Sequence, residues 1–151
     1  MTTIVWRDGI LAADSKAYGG NYKQSPGSKT KLRTVTGSGR FAGAIGGVST
    51  NVVGGDVMLW DWVERGAPFP EANDLKPESF SILLITPDGA VWLANDALSF
   101  SGPIDCRYYA VGSGDHFALG ALAMGASAVE AVDVAAIFDC HTGGEIMALT
   151  L

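Results

Sequence analysis

The sequence predicts an α+β fold of two mainly antiparallel sheets with helices packed outside. Three observations carry this. Strand-type runs and helix-type runs are grouped rather than alternated: strands, a helix, strands, two helices, a closing strand. The turn signals Asp8-Gly9 and Pro87-Asp88-Gly89 each join two β-type runs, as in hairpins. Hydrophobic residues make up 48% of 151, enough for one domain, residues 1–151, with a sizeable core.

Taken in order, Thr2–Trp6 and Ile10–Ala13 read as strands around Arg7-Asp8-Gly9. Residues Asp14–Ser28 are polar and Gly-rich and read as a loop. Lys31–Thr36 alternates as a strand does, Gly37-Ser38-Gly39 turns the chain, and Arg40–Gly46 returns as a strand. Ser49-Thr50-Asn51 offers a helix cap. Beyond it Val52, Val53, Val57, Trp60 and Val63 recur at helical spacing, predicting a helix over Thr50–Arg65 weakened by Gly54-Gly55. Gly66 and Pro68 end it, and the Pro-containing Ala67–Glu78 reads as the longest loop.

Ser79–Thr86 and Ala90–Asn95 form the second hairpin, and Tyr108–Val111 is a strand entering Gly112-Ser113-Gly114. A helix over Asp115–Met124 stops at Gly125. The next starts at Ser127, with Glu130 completing a capping box, and carries Val129, Val132, Ala136 and Ile137 on one face. Gly143-Gly144 breaks it before the closing strand Ile146–Leu151.

Net charge is −6 with a pI near 4.7, and the basic residues are scattered apart from Lys29, Lys31 and Arg33, so no nucleic-acid partner is expected. No apolar run reaches membrane-spanning length, and no charged n-region leads into an apolar stretch. A cytoplasmic location with Cys106 and Cys140 reduced is the expectation. The cysteines show no metal-ligand spacing, and no cofactor is expected.

The chemistry centres on Thr2. A small residue after Met1 invites removal of the methionine, which leaves a hydroxyl and a free α-amine on one residue. The amine, with an ordinary pKa of about 8, is a usable base for the weakly nucleophilic hydroxyl. The plain alternative is a β-branched residue suited to a strand. Asp14 and Lys31 lie at strand ends, where they form either a charge-fixing pair at a site or a surface ion pair. Ala44-Ile45-Gly46-Gly47 offers a backbone N–H to an oxyanion, or a packing glycine. Gly112-Ser113-Gly114 reads as an anion nest, a proton relay at Ser113, or a tight turn. It lacks the Gly-Lys-Ser/Thr of a P-loop, which disfavours nucleotide binding. Asp139 sits at a helix C-terminus, where a carboxylate is unfavourable, which hints at another role. His116 and His141 read as structural or surface groups, and Trp60 and Trp62 as packing or subunit-contact residues.

In this order the pieces resemble the proteasome-type N-terminal nucleophile hydrolases, and within them the bacterial HslV-like peptidases. Thr2-Thr3-Ile4-Val5 with Asp8-Gly9 and Ala12-Ala13-Asp14-Ser15 resembles the opening strands, and Thr2 falls on the catalytic threonine. Lys31-Leu32-Arg33 resembles the strand with the catalytic lysine, Lys29 being the rival for that role. Ala44-Ile45-Gly46-Gly47 resembles the oxyanion segment, with Gly46 as donor, and Val111-Gly112-Ser113-Gly114 resembles the serine motif. Asp139-Cys140-His141-Thr142-Gly143-Gly144 resembles the C-terminal acidic motif, with Asp139 and Thr142 at its polar positions.

The resemblance implies a four-layer αββα sandwich and a threonine peptidase acting on peptides or unfolded proteins. It implies a homo-oligomeric ring and an AAA+ ATPase unfoldase as partner. It places Ala17, Lys29, Ala44 and Val48 around the side chain before the cut bond, where Ala and Val would leave the pocket apolar and Lys29 would favour an acidic side chain. Part of the family binds a metal ion near the last motif, but no ligands are assigned here. The stretch Ala67–Phe80 is shorter than family members often carry. Two other readings remain: a catalytically silent scaffold subunit that keeps Met1, and an amidohydrolase using the same Thr2 on small amides.

Overall fold

A computed structural model describes residues 1–17, 27–70 and 78–151. Parts of the expected loops Asp14–Ser28 and Ala67–Glu78 therefore lie outside the described residues. Nine strands and three helices run in the order β1 (Thr3–Arg7), β2 (Ile10–Asp14), β3 (Leu32–Thr34), β4 (Ile45–Thr50), α1 (Gly55–Glu64), β5 (Phe80–Ile85), β6 (Val91–Asn95), β7 (Ser101–Ile104), β8 (Tyr108–Gly112), α2 (Asp115–Ala123), α3 (Ala128–Phe138) and β9 (Ile146–Thr150) among the described residues. They make one sheet of order β8-β1-β2-β9 and a second of order β3-β4-β5-β6-β7. Among the described residues every pairing between neighbouring strands of these sheets is antiparallel.

Period-two alternation builds the layers. In β1, Ile4 and Trp6 meet Leu11, Ala13, Leu83 and Ile85 between the sheets. Val5, between them in sequence, points the other way and packs with Ala12, Ala110 and the α2–α3 pair. In β5, Leu83 and Ile85 face the inter-sheet core, whereas Ile82 and Leu84 pack with Leu59, Trp60 and Val63 of α1. The order is α2 and α3, first sheet, second sheet, α1: a four-layer αββα sandwich. Ile4, Leu83 and Ile85 are fully excluded from water, and burying each such side chain is worth about 1.5–3 kcal/mol.

Three expectations are corrected. The chain from Arg40 to Gly43 turns rather than forming a strand, with Ala42 N–H donating to Gly39 O and Ala44 N–H to Phe41 O. The strand starts at Ile45 and continues through Thr50, because β5 pairs with all of it, Gly47 with Leu83 and Thr50 with Phe80. The Ser49-Thr50 pair is therefore strand and not a helix cap. Helix α1 starts at Gly55 behind Gly54, whose φ of 79° has no cost for glycine.

In α3 the buried face is Ala128, Ala131, Val132 and Ala135, while Ile137 is exposed. Alanines let the helix lie close on β1 and β2, where a larger face would not fit. The Ser127–Glu130 capping box forms as expected. Strand β7 was not anticipated. It is an edge strand, the place where a proline lacking N–H is tolerated.

Candidate active site

Thr2 directly precedes the central strand β1 and is only 2% exposed. Its carbonyl accepts from Ser113 N–H at 3.1 Å and from Ser49 Oγ at 3.1 Å. One donor comes from the turn after β8, the other from β4 in the opposite sheet, so both sheets fix this residue. Gly112 makes the approach feasible. Its φ is +104°, and a Cβ there would lie 1.8 Å from the Thr2 carbonyl oxygen.

Asp14 ends β2 fully buried. Its Oδ2 accepts from Lys31 Nζ at 2.9 Å, Gly143 N–H at 3.1 Å and Lys16 N–H at 3.2 Å, and its Oδ1 from Thr3 N–H at 3.1 Å. Four donors compensate its lost hydration. Lys31 Nζ also donates to the Met1 carbonyl at 3.2 Å. The ammonium thus sits at the Met1–Thr2 bond. Burial pushes the Lys31 pKa below its ordinary value despite Asp14. The α-amine of Met1 is lowered by burial and then by the Lys31 charge.

Ser113, Asp139 and Thr142 meet on the other side. Asp139 Oδ2 accepts from Ser113 Oγ at 2.6 Å and from Thr142 Oγ1, and Oδ1 accepts from His141 N–H at 3.1 Å. Burial pushes the Asp139 carboxyl up, but these hydrogen bonds together outweigh it and hold the pKa below the usual range. They also offset its place at the C-terminus of α3. Because Thr142 gives its proton to Asp139, Thr3 Oγ1 donates in the 2.6 Å contact with Thr142. Thr3 in turn accepts from Gly114 N–H at 3.0 Å. The last motif is thereby tied to β1 and to the turn that holds Thr2.

A cavity of about 150 Å³ opens beside Thr2, between β4, the start of α1 and the segment leading into Lys31. Ala17, Lys29 and Val48, three of the expected substrate contacts, line it with Met1, Thr2 and Trp60. Ala44 is instead fully buried in the core under α1 and is not among the described lining residues. Gly46 is not among them either. It lies within β4 between Arg33 and Leu84, and a Cβ there would clash with Leu84 Cδ2 at 2.3 Å and approach Trp60 at 3.4 Å. Glycine at this position is required by packing. Lys29, the rival lysine, pairs with Asp56 at 2.7 Å and not with Asp14.

Asp139, Cys140 and His141 bring donor atoms within 4.8 Å of one another. Asp139 already serves two hydroxyls, and Lys16 Nζ donates to the Cys140 carbonyl at 2.6 Å, which sets a positive charge beside them. The set fits a hydroxyl network better than a cation. His116 is a surface group, and Trp60 and Trp62 are buried core residues, Trp60 also reaching the cavity.

Sequence reasoning missed Thr3, Lys16, Ser49 and Asp56, and read Gly112 only as part of a nest or tight turn. Ser49 was hidden by its likeness to a helix cap. Thr3 and Gly112 become visible once β1 is paired with β8, Thr3 opposite Gly112.

No family model matches the chain, and no curated protein matches it. Solved structures do. BPH of Thiobacillus denitrificans in complex with epoxomicin is 19% identical, with 99% of this chain and 97% of that chain covered and a TM-score of 0.68. BPH of the same organism gives 17% identity, 99% and 96% coverage and a TM-score of 0.61. HslV from Trypanosoma brucei gives 15% identity, 100% coverage of both chains and a TM-score of 0.65. Along its whole length the chain has the fold of HslV and BPH, the proteasome-type N-terminal nucleophile hydrolase fold that its motifs resemble.

Proposed function

We propose that the chain is a threonine peptidase whose nucleophile is Thr2 after loss of Met1. The observation that carries this is the placement of Thr2 between two buried polar groups of its neighbours. Its carbonyl is fixed by Ser113 and Ser49, and the Lys31–Asp14 pair lies at the peptide bond that removal of Met1 would turn into the α-amine. In this reading the amine takes the Thr2 hydroxyl proton, with Lys31 keeping the amine neutral. The hydroxyl attacks the peptide carbonyl, and as the tetrahedral intermediate collapses the C–N bond breaks and the amine of Thr2 passes the proton to the leaving amine. The ester of Thr2 is then hydrolysed by water. Ser113, Asp139 and Thr142 hold the far side of the site and relay protons.

Assembly into a homo-oligomeric ring, fed by an AAA+ unfoldase, belongs to the same proposal. Exposed apolar groups support a covered surface: Phe117 stacks on Phe138 at 5.4 Å on the outer face of α2 and α3, and Val53 and Val57 stand out at the start of α1. A cytoplasmic setting is the matching expectation. Among the described residues no helix is long and apolar enough to cross a membrane.

In the silent-scaffold reading Met1 stays in place, blocks the Thr2 amine and engages Lys31 through its carbonyl. Comparison of two preparations tests both readings. Protein whose intact mass shows loss of Met1 should cleave fluorogenic peptides, and protein retaining it should not. Equal inactivity of both forms, on peptides and on unfolded protein, contradicts the peptidase.

A further inference from the structure

The cavity beside Thr2 carries an ion pair on its wall that the catalytic steps do not use. Lys29 Nζ lies 2.7 Å from Asp56 Oδ2. Lys29 comes from the segment leading into Lys31, and Asp56 from the first turn of α1. The lysine side chain is half exposed, whereas that of Asp56 is only 14% exposed. Both residues line the cavity, as do the apolar Val48, Val52 and Trp60.

Lys29 taken alone would attract an acidic substrate side chain. With Asp56 against it, a carboxylate entering the cavity must share one ammonium with a second carboxylate. A basic side chain entering meets Lys29 and has to break the pair. A neutral apolar side chain meets neither cost and gains the contacts of Val48 and Trp60. Asp56 lies in the first turn of α1, where the helix N-terminus favours a negative group. The other cavity cations are engaged elsewhere, Lys31 with Asp14 and Lys16 with the Cys140 carbonyl.

Resting on the peptidase reading, we infer that Asp56 is a specificity-determining residue: by cancelling Lys29 it sets the cavity for a neutral, apolar side chain before the cut bond. The pair acts as a charge lock, and each half removed alone exposes the preference of the other. This replaces the acidic preference that Lys29 suggested in the sequence.

The test uses protein with Met1 removed, verified by intact mass. Fluorogenic peptides differ only in the residue before the cut bond, Leu, Glu or Lys, and calorimetry measures binding of the product peptides ending in the same residues. The parent should favour Leu over Glu and Lys by about tenfold or more in kcat/KM and in affinity. Asp56→Asn should raise the Glu-to-Leu ratio about tenfold, and Lys29→Met the Lys-to-Leu ratio by a similar factor. The exchange Lys29→Asp with Asp56→Lys should restore the Leu preference, and Asp56→Ser and Lys29→Gln carry the test if the first single variants fail to fold. Ratios unchanged in the folded single variants overturn the inference. Product affinities that follow the charges while no preparation hydrolyses peptide sustain the charge lock and overturn the peptidase reading instead.

Discussion

Lys31 Nζ donates to Asp14 Oδ2 across 2.9 Å, with the two side chains 6% and 0% exposed. A pair so buried is poorly explained by stability alone, because its desolvation offsets much of the attraction. Its contact with the Met1 carbonyl gives it another use. Lys31→Ala should leave Asp14 with only backbone N–H partners and lower stability by about 3 kcal/mol. Peptide turnover should fall by about a thousandfold. Urea unfolding and peptide assays measure the two losses separately. Substantial retained activity would remove Lys31 from the mechanism.

The same ammonium bears on pH dependence. Burial, and then Lys31, push the α-amine of Met1 below its ordinary value. In the proposed mechanism the freed Thr2 amine lies beside the same Lys31 ammonium, which favours its neutral form. Activity should rise with pH and reach half its plateau below about pH 8. In the residual activity of Lys31→Ala that midpoint should move up. A midpoint that stays put contradicts the coupling.

Gly112 offers a steric test. At φ +104°, with a Cβ site 1.8 Å from the Thr2 carbonyl oxygen, Gly112→Ala must move either β8 or Thr2. The expected cost is about 3 kcal/mol or more, together with loss of turnover. Thermal melts and peptide assays of the folded fraction check it. A variant with the parent's stability and rate would show that Thr2 is not held as described.

Asp139 gives a signed prediction in acid. Its folded pKa lies below the ordinary carboxyl value of 3.8. The unfolded chain therefore takes up the proton first as pH falls. The stabilisation is fully present above the ordinary value and is lost as pH drops through the folded one. The advantage in Tm of the parent over Asp139→Asn should accordingly shrink on acidification and be gone below both values. An advantage of constant size would place its origin outside the carboxylate.

The elements most legible in sequence were those with local signals. Asp8-Gly9 sets the first hairpin, Ser127 and Glu130 cap α3, and alternation in Thr3–Arg7 assigns its two faces. β4 was misread because a strand buried on both faces has no alternation, and its Gly46-Gly47 and Ser49-Thr50 mimic a turn and a cap. The correct bounds depend on pairing with β5, a contact distant in sequence. The site followed the same rule. Thr2, Asp14 and Lys31 stood out as residue types at strand ends. Ser49 on the Thr2 carbonyl and Asp56 on Lys29 are products of packing between layers. Ala44 and Gly46 show the converse, since small residues in a promising motif serve close packing against α1 and Leu84.

Replacement of Thr2 by Ala, in protein that otherwise starts at the same residue after Met1 removal, tests the account most directly. The side chain makes none of the described hydrogen bonds that fix the segment, which run through the Thr2 carbonyl. Thr2→Ala should keep the parent's Tm within a few degrees and lower peptide turnover by about ten-thousandfold or more. A folded Thr2→Ala protein that cleaves peptides at the parent's rate would contradict it.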